Sequence, residues 1–409
     1  MAIPKIANGG AWACDPADFD LADVDRRFLE DPFPTYARLR EESPIHKNPD
    51  GTYFVTCFDE VAGVLRSKDM SSDKEAQMTA RFGRDALITE HNLNVMVFVD
   101  PPDHTRIRRL VSHAFSTRAL NLWEEVVEDV VDRLLSEALS GGEMDLIGDF
   151  AYLMPLTVIG DMLGVPTEDR ERFKHWSWMV TASLEPSAGA DIVAEANAAV
   201  ADFKSYLGEL ADRRRREPGN DLMSLLVQAE ADGETLSELE LLHNAAFLLN
   251  AGHETTSNLI GNGINALFEN PDQMALLHEN PDLAESAVEE MLRYDSPNQI
   301  GGRMPTRDMV FRDTTVPAGT FVWISNGSAN RDPAAFPEPD RFDIRRTPNR
   351  HVAFGHGIHL CLGAALARME GRVAIRRLVC DFPKLRPAGD PVPRLRARHR
   401  GFKHYPIAV

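Results

Sequence analysis

A chain that contains one unbroken helix of about thirty residues has to be built around it. Ser237 and Glu240 have the spacing of a capping box, and Asn270-Pro271 supplies the stop. At 1.5 Å per residue, the helix between them is roughly 45 Å long, enough to cross a whole domain. Its middle, LLNAGHETTSNLIGNG from Leu248, is interrupted by polar residues, among them Asn250, His253, Glu254, Thr255, Thr256, Ser257 and Asn258. Polar groups buried without partners cost roughly 1–3 kcal/mol each. An acid followed by alcohols at the centre of a core helix therefore needs a reason to be there.

The rest of the chain reads as mostly helical. From about Thr105 to Phe268 the helical pattern breaks only at punctuators such as Gly141-Gly142, Pro166 and Pro218-Gly219. Asp31 to Glu42 reads as a Pro-started helix, and HKNPDGTYFVTCF as a β-hairpin turning at Asp50-Gly51. Residues 71–99 read as a long, mixed, loop-like connection. Short strands are expected in VFRDTTVPAGTFVWIS, and a final long helix from Ala364 to Val379. The expected class is mainly α with a small β region, its β-rich parts near 46–58 and 305–325.

Composition removes several functions. The 409 residues are 43% hydrophobic, ample for a sizeable core, and contain no uninterrupted apolar run long enough to span a bilayer. The N-terminus lacks a signal-peptide pattern, so a cytoplasmic protein with no membrane partner is expected. Cys14, Cys57, Cys361 and Cys380 form no CxxC pair, which argues against zinc or a disulfide framework but allows one functional thiolate. The net charge of −19 argues against nucleic acid as a partner. It is unevenly spread: from Arg341 onward there are 15 Lys+Arg against 4 Asp+Glu, and before it 29 against 59. A basic patch on an acidic body suits an acidic partner.

The most specific signal is HVAFGHGIHLCLGAALAR at 351–368, in which Phe354, Gly357, His359, Cys361 and Gly363 fit F-x-x-G-x-H-x-C-x-G before a helix. Glycines permit unusual backbone angles and close approach to a flat ligand, and a following helix N-terminus favours an ionised sulfur. The stretch resembles the haem-binding loop of the cytochrome P450 family. Glu290-Met291-Leu292-Arg293 matches the family's E-x-x-R, and Pro339-Asp340-Arg341-Phe342 its P-x-R-F segment. The resemblance implies that Glu290, Arg293 and Arg341 lock together as a structural group, and that Cys361 is the axial iron ligand.

The same resemblance explains the central helix. Ala251-Gly252-His253-Glu254-Thr255-Thr256 matches A/G-G-x-D/E-T-T. It implies that Ala251 and Gly252 make room beside the cofactor while Thr255 and Glu254 relay protons to dioxygen. His104 and Arg108, spaced one helical turn apart in DPPDHTRIRRL, are implied contacts of one haem propionate, with Arg303 and His359 on the other. Phe247, Asn250, Ala251, Asn298, Gln299 and Ile300 are the implied pocket lining, roofed by residues 71–99.

From about residue 31 to the end, the resemblance implies a single triangular domain with non-covalent haem b, residues 1–30 forming an N-terminal extension. The implied enzyme is a monomeric, bacterial-type monooxygenase. It would use dioxygen and electrons passed from NAD(P)H through a reductase and an acidic ferredoxin. It would hydroxylate or epoxidise a hydrophobic small molecule: a terpenoid, aromatic, fatty acid or macrocycle. Arg368 and Arg372, one turn apart on the last helix, are the expected ferredoxin dock, with Arg345, Arg346 and Arg350 beside them. A peroxide-driven peroxygenase would be expected to lack Glu254-Thr255. A non-catalytic haem-binding recruitment protein would be expected to lose the thiolate or the alcohol.

Overall fold

A computed structural model of the chain describes residues 14–112, 115, 117–138, 141–185, 188–231 and 233–409. The described backbone groups into two compact units, one of 14–70, 127–154 and 255–409, the other of 71–126 and 155–254. The central helix runs from Glu238 to Glu269, passing from the second unit into the first after Glu254. Its start is the predicted capping box. The Ser237 N–H donates to Glu240 Oε2 at 2.8 Å, and the Glu240 N–H to Ser237 Oγ at 3.3 Å. Asn270 ends it, and Pro271 opens the next helix, which runs to Glu279.

In the first unit, Ile45–Lys47 pairs antiparallel with Tyr53–Val55, as the hairpin reading requires, and Gly51 takes a φ of 87° at the turn. Tyr53–Val55 then pairs parallel with Val322–Ser325, which pairs antiparallel with Ile300–Pro305. The chain before residue 31 is not a separate extension where it is described. Phe19, Leu21 and Phe28 are buried in a cluster with Tyr36, Leu39, Phe54 and Ile300, so residues 14–30 belong to the domain core; residues 1–13 lie outside the described residues.

Two further expectations change. Residues 71–99 are not a loop: they hold helices Glu75–Phe82 and Leu87–Asn94 and a short turn at Met96–Phe98. The stretch LITEHNLN has no apolar stripe to announce a helix; polar side chains from other elements hold it instead. The final helix runs from Ala364 to Arg376 and then widens into a π-turn over Arg377–Asp381. Leu146–Leu163 is long and apolar enough to cross a bilayer, but 72% of it is buried inside the fold.

Packing around the central helix explains several small residues. A Cβ at Gly263 would come within 2.5 Å of Met291 Sδ on the helix Ala284–Tyr294. One at Gly371 would approach Leu259 at 3.0 Å and Val288 at 3.3 Å. The three helices carrying Leu259, Val288 and Gly371 thus meet at the distance glycines allow.

That bundle holds a fully buried ion pair. Arg293 donates from Nε and Nη2 to the Glu290 carboxylate, each at 2.8 Å. Its remaining bonds go to the carbonyls of Asn330 (2.9 Å), Pro339 (2.7 Å) and Arg341 (3.2 Å). All five guanidinium donors are used. Glu290 also accepts from the Asp343 N–H, from Arg346 Nε and from Asn349 Nδ2. The second arginine of the lock is therefore Arg346, not Arg341. Arg341 offers only its carbonyl, and its exposed guanidinium turns to Glu338. Five residues further on, the chain has curled back far enough for Arg346 to reach the buried acid.

Candidate functional site

The lock fixes the segment that leads to Cys361. Asn330, whose carbonyl Arg293 holds, accepts from the Val352 N–H through Oδ1 at 2.8 Å. From Val352 the loop turns twice: Gly355 N–H donates to Val352 O at 2.9 Å, and Leu360 N–H to Gly357 O at 3.1 Å. Cys361 N–H then donates to Phe354 O at 2.9 Å. Gly355 and Gly357 both have a φ of 70°, where L side chains are strained. A Cβ on Gly357 would also meet Leu65 O at 2.7 Å, so this position needs glycine twice over.

The loop presents Cys361 two residues before Gly363, the N-cap of the final helix. Among the four cysteines it is the exposed one, and Ile358 and Leu360 beside it are exposed as well. A Cβ on Gly363 would touch no protein atom within 4 Å, so nothing in the chain itself demands glycine there. An exposed cysteine just before a helix N-terminus, with exposed apolar neighbours in the chain and open space at Gly363, suits a flat metal-bearing group.

Glu289, next to Glu290, closes the loop from outside. It accepts from Arg368 Nε at 2.6 Å and from His351 Nε2 at 3.1 Å, and Arg368 stacks 4.5 Å from the Phe354 ring. Burial pushes its carboxyl up, but His351 and Arg368 outweigh that and bring it down to about 2. The sequence reading missed Glu289 and His351, because a second glutamate beside E-x-x-R looks like a solvated helix face. It also placed Arg368 and Arg346 in a docking patch; Arg346 is bound to the buried Glu290, whereas Arg368, paired with Glu289, keeps 43% of its side chain exposed.

On the central helix, the pattern of covering is informative. From Leu241 to Ile264 every residue is buried except Phe247, Asn250, Ala251, Gly252 and Thr255. These fall at i, i+3, i+4, i+5 and i+8, one stripe of the helix. Thr255 lies in the stripe, while Glu254 beside it is buried. Asn250 Oδ1 accepts from Thr181 Oγ1 at 2.9 Å, so this amide is held by the helix Arg170–Ser183.

The other interrupting polar groups are structural. His253 Nδ1 bonds the Leu249 carbonyl at 2.9 Å, and Asn258 packs where a Cβ on Gly401 would lie within 2.1 Å of it. Thr256 faces Glu370, a buried acid of the final helix that the sequence reading did not single out. Burial pushes this carboxyl up to about 8, Thr256 offsetting part of the rise.

The remaining candidates divide. In the second unit, His104 is buried and Arg108 half-buried, one turn apart on the helix Asp103–Ser112. In the first, Arg303 is half-buried on strand Ile300–Pro305, and half-buried His359 ends the short turn Gly357–His359. Asn298 is half-buried and bridges to His399. Gln299 and Ile300 do not line an opening. Gln299 Nε2 donates to Ser296 O at 2.9 Å, with its amide packed where a Cβ on Gly327 would lie. Ile300 belongs to the aromatic core with Phe28 and Tyr36. Asp295 and Ser296 offer Gln299 acceptors at the helix end, and an apolar side chain next to Phe54 buries more surface inward.

Comparison with known proteins adds an independent line. The family described as Cytochrome P450 matches residues 67–403. The chain is 42% identical to the Vitamin D(3) 25-hydroxylase of Pseudonocardia autotrophica, over 93% of this chain and 94% of that protein. It is 41% identical to the cytochrome P450 monooxygenase PikC of Streptomyces venezuelae, over 90% and 88%. The crystal structure of P450BioI in complex with hexadec-9Z-enoic acid ligated acyl carrier protein superposes with a TM-score of 0.89 at 34% identity. That match covers 94% of this chain and all of that one, at 100%.

Because Glu289 is held well below its ordinary 4.5, it adds stability above that pH that is lost as pH falls toward 2. Glu289→Gln is expected to unfold more easily in urea at pH 7, with the difference from wild type shrinking steadily from pH 4.5 to pH 2. A difference independent of pH would contradict this.

Proposed function

We infer that this chain, which belongs to the cytochrome P450 family and is a monooxygenase of it, hydroxylates or epoxidises a hydrophobic small molecule with electrons from an acidic ferredoxin. The observation that carries the reading is the exposed Cys361, presented just before a helix N-terminus by a loop that turns on two positive-φ glycines.

The residues fit haem b, the group the family carries. The donor set is a thiol plus cationic and imidazole side chains for two propionates, and the space beside Gly363 is open. When bound, thiolate-ligated haem supplies the activation of dioxygen. Everything else is the protein's share. The helix that begins at Ala364 has its positive N-terminal end next to Cys361, an arrangement that favours a thiolate ligand. His104 and Arg108, and separately Arg303 and His359, are the proposed propionate partners. The small, exposed Ala251 leaves space on the stripe for dioxygen and substrate, while Gly252 lets Ile159 pack close against the helix. Thr255, within that stripe, holds the proton to be delivered, and the buried Glu254 resupplies it.

Substrate recognition falls to the stripe itself. Phe247 offers an apolar ring, and the Asn250 amide, its oxygen engaged by Thr181, offers N–H donors to an oxygen on the substrate. Helices Glu75–Phe82 and Leu87–Asn94 are the proposed roof. A relative named for vitamin D(3) hydroxylation and a neighbour bound to a fatty acyl carrier both support a large hydrophobic substrate. With Arg346 bound to the buried Glu290, the proposed ferredoxin dock centres on Arg368 and Arg372, with Arg345 and Arg350 beside them. The protein is read as a cytoplasmic monomer.

Thr255→Ala is expected to keep binding haem and substrate but to divert most electrons to hydrogen peroxide, lowering product per NAD(P)H about tenfold or more; undiminished coupling would refute the relay. Arg372→Glu should lower ferredoxin-supported turnover relative to peroxide-supported turnover by about tenfold. An unchanged ratio would remove Arg372 from the dock.

A further inference from the structure

The helix Leu87–Asn94 is held by an unusual set of polar side chains, all in the second unit. Asn197 Oδ1 accepts from the Ile88 N–H at 2.9 Å. Lys204, from the same helix Ala190–Arg216, pairs with Glu90. From the central helix, His243 Nε2 bonds Glu90 Oε1 at 3.0 Å, and His243 Nδ1 faces His91 Nδ1 at 3.1 Å. Asn244 completes the hold, donating to Asn94 O and accepting from the Met96 N–H, both at 2.9 Å. Both imidazoles are buried, while Glu90 and Lys204 lie toward the surface.

The geometry fixes the protons. Glu90, a carboxylate, accepts only, so His243 must carry its hydrogen on Nε2. Neutral His243 then presents a bare Nδ1, which can only accept, and His91 must donate from its own Nδ1. A proton added to His243 Nδ1 would force His91 to move its own hydrogen to Nε2 and would leave a buried imidazolium at His243. One added to His91 would bury an imidazolium beside a second imidazole. The titratable and charged groups facing this pair are Glu90 and Lys204; Glu240, one turn earlier on the central helix, is taken up by Arg106. Among the described residues Glu90 is the acid that faces the pair, and Lys204 already shares it.

We propose that His91 and His243 are positioning residues for substrate binding: as a neutral pair they latch the helix Leu87–Asn94 to the central helix, and a proton on either releases it. The inference rests on the reading of residues 71–99 as the roof of the substrate site. Burial, joined by the neighbouring imidazole, brings His91 down to about 3, and burial also holds His243 below its ordinary value. The sign follows. Both groups are depressed in the latched state, so the latch is fully present above the ordinary histidine value of 6.5 and weakens as pH falls below it.

The direct test is hydrogen exchange in the holoenzyme, reading the protection of amides 87–94 after correction for intrinsic rates. Between pH 6.5 and 5.5 protection should fall about fivefold if one histidine takes up a proton on release, and about thirtyfold if both do. Helix Pro271–Glu279 should show no such change. His243→Gln, which keeps a donor for Glu90, should reduce the response to that of one histidine, and His91→Gln with His243→Gln should abolish it. Protection independent of pH in the wild type, which needs no variant, would overturn the latch, as would an undiminished response in the double variant.

The link to the substrate site is tested separately with 4-phenylimidazole as the probe. Its affinity for wild type relative to the double variant cancels the probe's own protonation, and this ratio should fall with the protection. A helix that opens at pH 5.5 while the ratio stays constant would remove the positioning role. That outcome leaves the monooxygenase reading standing, since coupling in Thr255→Ala tests it independently.

Discussion

The rest of the structure depends on one buried ion pair, Glu290 with Arg293. Burying two charges is unfavourable unless their hydrogen-bonding capacity is met, and breaking such a pair by removing one partner costs about 3–5 kcal/mol. Here it is met in full: five guanidinium donors are used, and the carboxylate takes further bonds from Asp343, Arg346 and Asn349. These partners come from segments with little secondary structure of their own, between Asn330 and Asn349. The pair thus gives shape to a stretch that its own backbone bonds would not hold. Asn330 passes that shape on, because its side chain fixes Val352, where the cysteine loop begins.

The central helix solves a different problem with the same currency. Its interrupting polar groups would destabilise a plain core helix, yet most have assigned partners: His253 its own backbone, Asn250 Thr181, Asn262 the carbonyls of Asp295 and Arg400. What is left uncovered is a single stripe ending in Thr255. The proposed chemistry needs just that combination, a helix rigid along its length and open along one line. His243 and Asn244, about three turns before Thr255, extend the same use of polar side chains to the proposed roof.

Much of this was legible in the sequence, and the exceptions share a cause. The capping box, the Asp50-Gly51 hairpin and the glycine loop around Cys361 are local: a few adjacent residues and backbone sterics decide them. Arg341 was chosen over Arg346 because spacing along the chain says nothing about which guanidinium a curled segment returns to a buried acid. Gln299 and Ile300 were assigned to a pocket by position, but their contacts are set by Ser296, Gly327 and a distant aromatic cluster. Glu289 and Glu370 were passed over because burial, which makes them matter, is not a property of their immediate neighbours. The helix Leu87–Asn94 was missed for the same reason, since its hold comes from residues more than a hundred positions away.

The central claim is that this framework exists to present the Cys361 thiolate to haem iron. The most direct test is the reduced carbon monoxide difference spectrum of the wild type beside Cys361→Ala. The account predicts the family's long-wavelength Soret band in the wild type, and its loss in the variant while circular dichroism shows the helices intact. A long-wavelength band that survives Cys361→Ala, or a wild type that binds haem without it, would contradict the account.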